Sequence, residues 1–220
     1  MWRVRKVKKK RNRKQQSLFT AFGTVLLFGL GLFFLLFILS VVVENDGNEQ
    51  QEGRVLSENV LAYRDTIEQE LAKSGQESLA PLVLSVMMQE SGGRGDDPMQ
   101  ASESKCGEIG CIEDPEESVA YGIAHFLRML EEADGEEDVA IQSYNFGAGF
   151  IGFVNENGGA FSEDLAVQFS QEQYKKVKNP EIYRCIRPES EELDACYGDI
   201  QYVEAVYSYL PAAQEAFKDK

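Results

Sequence analysis

Between Leu18 and Val43 the chain carries no charged residue, and most positions are Leu, Phe, Val or Gly. As a helix, such a stretch is long enough to cross a bilayer, whose hydrocarbon core takes about 20 apolar residues. Residues 1–17 hold nine Lys/Arg and no acid. The expected organisation is a basic cytoplasmic tip over 1–17, a transmembrane anchor over 18–43, a linker over 44–56 and one globular domain over 57–220. The positive-inside bias keeps the basic tip in the cytoplasm and sends the C-terminal domain outside. Two rival readings fit less well. The core of a cleaved signal peptide usually runs about 7–15 residues and ends at a small-x-small site, which Ser40–Asp46 does not supply. A buried helix of a soluble domain would not be apolar on every face beside a basic flank.

The formal net charge of −15 conceals an asymmetry. All 37 acidic residues follow the apolar run, against 13 of the 22 basic ones, a formal charge of −24. A domain so acidic does not bind nucleic acid by electrostatics. An anionic substrate would have to be held by hydrogen bonds and packing. Cys106, Cys111, Cys185 and Cys196 all lie in this outer part, where an oxidising compartment favours disulfides. Of the three possible pairings, Cys106–Cys111 with Cys185–Cys196 closes two short loops and is preferred. A four-cysteine zinc site is the rival, although C-x4-C and C-x10-C fit common zinc spacings poorly. No metal or cofactor is expected.

After the polar stretch Glu44–Val55, whose full extension is at most roughly 40 Å, helical patterns follow one another. Ser57 is placed to cap a helix with Leu61, Ile67 and Leu71 inward, ending at Gly75. Pro81 suits an early helix position, and Leu82 to Met88 is apolar on nearly all sides, so this helix should be central. Gly92 and Gly93 stop it. Asp96–Ile112 reads as a loop. Asp114-Pro115-Glu116-Glu117 is a strong helix start, with Val119, Ile123, Phe126, Leu127 and Leu130 as the buried face. Further helices are expected over 137–145, 147–155, 162–177 and 199–217. No alternating strand is evident, and the fold class is all-α.

Glu90 ends the central helix. Burial near Met87 and Met88, and the negative end of the helix dipole, should both keep its carboxyl protonated. A neutral carboxylic acid at neutral pH is what glycosidic cleavage requires of its proton donor. Taken alone, the bland alternative of a surface Glu at a helix end would stand. Glu90-Ser91 is followed, however, by Pro98-Met99-Gln100, by Gln142-Ser143-Tyr144-Asn145-Phe146-Gly147 and by Tyr174-Lys175-Lys176-Val177. In order and spacing these resemble the motifs of the goose-type lysozyme and lytic transglycosylase superfamily. The nearer resemblance is to the lysozyme-like domain of cell-wall hydrolases in Gram-positive conjugative elements and of related streptococcal surface proteins, where the second motif is similar to Asp97-Pro98-Met99-Gln100-Ala101-Ser102. It extends over roughly 75–180.

The resemblance implies Glu90 as catalytic acid and Ser91 as a brace for the loop after it. It implies Met99 and Gln100 as lining of the sugar cleft, Tyr144 as a hydrogen-bond partner that orients Glu90, Asn145 as a holder of loop or sugar, and Tyr174 as closing the cleft from the last helix. The stretch between Glu90 and Gln100 is shorter than in many lytic transglycosylases. Relatives in conjugative elements often carry a cysteine-peptidase domain, for which this chain is too short. His125, the only histidine, reads as structural.

The implied substrate is peptidoglycan, and the implied location is the cell membrane with the domain at the wall. A conjugative secretion complex is a possible partner. Cleavage as a muramidase is preferred, with Asp97, or less well Asp96, as a second carboxylate. The alternatives are lytic transglycosylation to 1,6-anhydro products, a non-catalytic wall-binding component of an envelope machine, and an acidic domain dedicated to a protein partner.

Overall fold

The computed structural model describes residues 54–178 and 184–218. The apolar run and its basic flank, where an anchor is expected, lie outside the described residues. Among the described residues no helix is long and apolar enough to cross a membrane.

Eleven α-helices and one 3₁₀ turn make up the described domain, and it contains no strand. The helices are α1 Glu58–Ala62, α2 Arg64–Ala72, α3 Ala80–Glu90, α4 Ser102–Cys106, α5 Pro115–Glu132 and α6 Glu137–Phe146. They continue with α7 Gly149–Glu156, α8 Glu163–Lys176, α9 Pro188–Glu192, α10 Tyr202–Tyr207 and α11 Leu210–Ala216.

The hub is α3. Leu82, Val83, Leu84, Val86 and Met87 on it are buried on every side, because α2, α10 and α11 surround it. Each such side chain withdrawn from water contributes on the order of 2 kcal/mol. The pair α5 and α6 packs alongside, with α7 against α6 and α8 against α7. A second cluster of rings, Phe146, Phe150, Phe153 and Phe169, joins α6, α7 and α8, with centroids 5.3–6.5 Å apart.

Local chemistry sets the element ends. Ser57 Oγ accepts from Val60 N (3.1 Å) and caps α1. Asp114 caps α5 by accepting from Glu116 N (3.0 Å), with Pro115 as the first helical residue. The end of α3 is steric as well as conformational. Gly93 lies in the left-handed region (φ 74°), and a Cβ there would stand 2.7 Å from Val60 N. The chain leaving α3 therefore passes directly against the start of α1, where Ser57 Oγ also donates to Gly92 O (2.7 Å).

Several expectations need correcting. The helix expected from Ser57 to Gly75 is two helices that meet at Tyr63, and Leu61 is exposed instead of buried. The turn tightens there, with Tyr63 N donating to Val60 O. The helix expected over 199–217 is also two, because Pro211 has no N–H to donate and its ring would clash with the preceding turn. The loop Asp96–Ile112 contains the short helix α4. Leu127 and Leu130 are half-buried, whereas Met129 and His125 share the buried face of α5.

Candidate active site

The cleft opens where α3 ends. It has a volume of about 220 Å³, and its walls include Glu90, Asp97, Gln100, Tyr144 and Asn145. These come from the end of α3, the loop before α4 and the end of α6. Residues that lie far apart in the sequence thus meet at one opening.

Glu90 is the last residue of α3. Its carboxyl pKa is raised to about 7, chiefly because burial penalises the charged form, with Asp97 and Asp199 adding repulsion. One contact acts in the opposite direction: Tyr202 donates its hydroxyl hydrogen to Glu90 Oε1, which favours the carboxylate. Burial prevails, so the group keeps its proton in the mildly acidic range and loses it as pH rises through about 7.

Asp97 shares the cleft but has the opposite character. Burial alone would raise its pKa, but hydrogen bonds from Ser102, Ser118 and Ala101 outweigh it and hold the carboxyl below its ordinary value. Its Oδ1 accepts from Ala101 N (2.9 Å) and Ser118 Oγ (2.6 Å), and its Oδ2 accepts from Ser102 N (2.9 Å). Asp97 is therefore an ionised carboxylate that also organises the loop and the start of α4.

Ser91 ties the loop that follows Glu90. Its Oγ donates to Pro98 O (2.7 Å) and accepts from Gly93 N and Arg94 N (3.0 and 3.1 Å). Gln100 sits at the rim in the left-handed region (φ 48°), where its Nε2 donates to Asp97 O (2.8 Å). Asn145 Oδ1 accepts from Asp199 N (2.8 Å), joining the end of α6 to the turn before α10.

Three of the roles implied by the motifs change. The Met99 side chain is fully buried, not in the cleft. It fills the notch left by Gly122, where a Cβ would stand 2.5 Å from Met99 Cβ. The Tyr144 ring does line the cleft, but its hydroxyl donates to Met99 O (2.7 Å), and it is Tyr202 that holds the Glu90 carboxyl. Tyr174 is half-buried in the last turn of α8 and is not among the residues lining this cleft. His125 packs its ring 5.1 Å from that of Tyr144, and burial with the nearby Arg128 lowers its pKa to about 4.

Sequence reasoning missed Tyr202, Asp199, Arg187 and Ser118. Asp199 is buried and accepts from Arg187 through Nε (2.7 Å) and Nη2 (2.8 Å). No local pattern marks these residues, since their partners lie 12 to 112 positions away. The cysteines pair as Cys106–Cys111 and Cys185–Cys196. The first closes the loop beyond α4, and the second encloses Arg187.

Comparison with known proteins identifies the family of the domain. The profile of a family described as "Lysozyme-like" matches residues 57–210. An uncharacterized membrane protein of Bacillus subtilis, YocA, is 39% identical over 168 residues, which is 74% of each chain. The bifunctional muramidase/DL-endopeptidase CwlT of the same species is 33% identical over 78% of this chain and 48% of its own length. A crystal structure of a protein similar to a lipoprotein of the NLP/P60 family, from Staphylococcus aureus, superposes with a TM-score of 0.63 at 33% identity. That match covers 72% of this chain and 54% of the other. The chain thus spans about half the length of CwlT and of the solved structure, and about three quarters of YocA. With an all-helical fold, a cleft at the end of its central helix and a family match over most of its length, the chain belongs to the lysozyme-like family.

Proposed function

We propose that this protein cleaves the glycan strands of peptidoglycan as a β-1,4 glycosidase of the muramidase type, with Glu90 as the general acid. One observation carries the reading: of the carboxyl groups that line the cleft, Glu90 has its pKa raised to about 7 and Asp97 is held low. Environments that push a pair of acids apart in this way divide the work between them. Neutral Glu90 gives its proton to the leaving glycosidic oxygen as the C–O bond breaks. The electron pair of that bond stays with the departing oxygen, and positive charge builds on the sugar. Ionised Asp97 faces that charge and lowers its energy. Three hydrogen bonds make Asp97 a weak base, so its contribution is electrostatic more than basic. Water then adds to the sugar and gives a proton back to the Glu90 carboxylate, which restores the acid and leaves a reducing end. Membership of the family and the muramidase named among the relatives support the substrate class.

The test is mass spectrometry of digested cell walls. Reducing muramic acid ends are expected, and they should be lost in Glu90→Gln. Products with 1,6-anhydro ends would assign attack to the sugar's own 6-hydroxyl and make the protein a lytic transglycosylase. An unchanged digest with Glu90→Gln would remove Glu90 from the chemistry.

We also propose that residues 18–43 anchor the chain and hold the domain at the outer face of the membrane. The charge-free run and its basic flank support this, as does the membrane protein among the relatives. The full chain should stay with membranes on alkaline extraction, and a chain beginning at Arg54 should not.

A further inference from the structure

Six large apolar side chains are exposed among the described residues, and Ile109 alone of these lines the cleft. It is 82% exposed. A single exposed aliphatic side chain is ordinary by itself; what singles out Ile109 is its place on the wall of the cleft that holds Glu90. Ile109 stands on the loop that runs from Cys106 to Cys111, cross-linked at its base. Gly107 (φ 76°) and Gly110 (φ 78°) turn the chain on either side.

The loop is anchored well for a surface segment. Ser102 Oγ accepts from Ile112 N (3.2 Å), and Ile112 is buried. Lys105 pairs with Glu117 of α5 (2.6 Å) and lies 4.8 Å above the Tyr121 ring. Asp97 holds the start of α4. The apolar tip is thus presented on a pre-organised support, which lowers the ordering cost of using it in binding.

We propose that the Cys106–Cys111 loop is a recognition finger on which Ile109 contacts the methyl of an N-acylated amino sugar. The inference rests on the glycan-cleaving reading and deepens it. An acylamino group offers an N–H donor, a carbonyl acceptor and a methyl. The same cleft wall also supplies a carboxylate (Glu103), a hydroxyl (Ser104) and an amide (Gln100). The carboxylate accepts from the amide N–H, the hydroxyl or amide donates to the carbonyl, and the isoleucine covers the methyl. An aliphatic branch suits a methyl better than a sugar face, which prefers a flat ring. The finger therefore discriminates acylated from free amino sugars.

The test uses the full chain in detergent, with Glu90→Gln so that ligands survive. Binding is measured by calorimetry for a pentamer of N-acetylglucosamine and for its deacetylated counterpart. Each ratio is read within one ligand, so attraction of the cationic sugar to the acidic domain cancels. Adding Ile109→Ser should weaken the acetylated pentamer about tenfold, the scale of burying one aliphatic side chain, and leave the deacetylated one within about twofold. Removing the cross-link with Cys106→Ser and Cys111→Ser should act in the same direction. Val55→Ser, at an exposed apolar residue outside the cleft, should change neither. Unchanged affinity for the acetylated pentamer, or an equal loss for both ligands, would overturn the finger while leaving the glycosidase reading intact. Failure of the parent protein to bind either pentamer, together with failure of the wild type to digest cell walls, would overturn both.

Discussion

Glu90 keeps its proton because the cost of burying a carboxylate exceeds what Tyr202 returns by donating to it. The pH dependence follows. Activity should fall as pH rises through about 7, as the acid loses its proton. Tyr202→Phe removes the contact that favours the charged form, so this alkaline limb should move to higher pH; a pH–rate profile checks it. Glu90→Gln should lower cleavage by at least about 100-fold, the usual scale of a general acid. It should also change stability in a defined sense. A carboxyl whose pKa is raised by folding contributes stability that is complete below its unfolded value of 4.5 and is lost as pH rises through about 7. Against wild type, the Gln variant should melt higher above pH 7, with the gap closing toward pH 4.5. Melting curves across that range read the difference directly.

The elements explain which parts of this site a reader of the sequence finds and which stay hidden. The central helix, its Gly-Gly stop and the Asp114 cap are legible because short-range rules fix them. Glu90, Gln100 and Asn145 are legible as motif members. Met99 misleads, since a motif position does not say which way its side chain points, and the notch at Gly122 that receives it lies on another helix. Gly122→Ala tests that packing. Alanine ordinarily favours a helix by about 1 kcal/mol over glycine, yet here the added methyl meets Met99. A net loss of about 1–3 kcal/mol is expected in chemical denaturation. Tyr202 was hidden because it sits on a helix with no family signature that the sequence displays. The turn before that helix depends on the pair that half-buried Arg187 makes with buried Asp199. Arg187→Ala leaves Asp199 as an uncompensated buried charge and should cost about 3 kcal/mol. Because Asp199 also holds Asn145, activity should fall in the same variant even where it remains folded.

For the molecule as a whole, charge sets the working conditions. The part of the chain after the apolar run carries a formal charge of −24, and cell walls are themselves anionic. Added salt should screen that repulsion, whose range at physiological ionic strength is about 8 Å. Cell-wall clearing by the full chain should therefore speed up between low and moderate salt, the reverse of what a basic lysozyme would do. Turbidity assays at graded salt measure it. The contact between Tyr202 and Glu90 spans 112 positions of the chain. Ribosomes deliver the acid long before they deliver its partner. Until the later helices emerge and dock, Glu90 lacks the cover that raises its pKa, so the character of this carboxyl is a property of the folded domain and not of the helix that bears it.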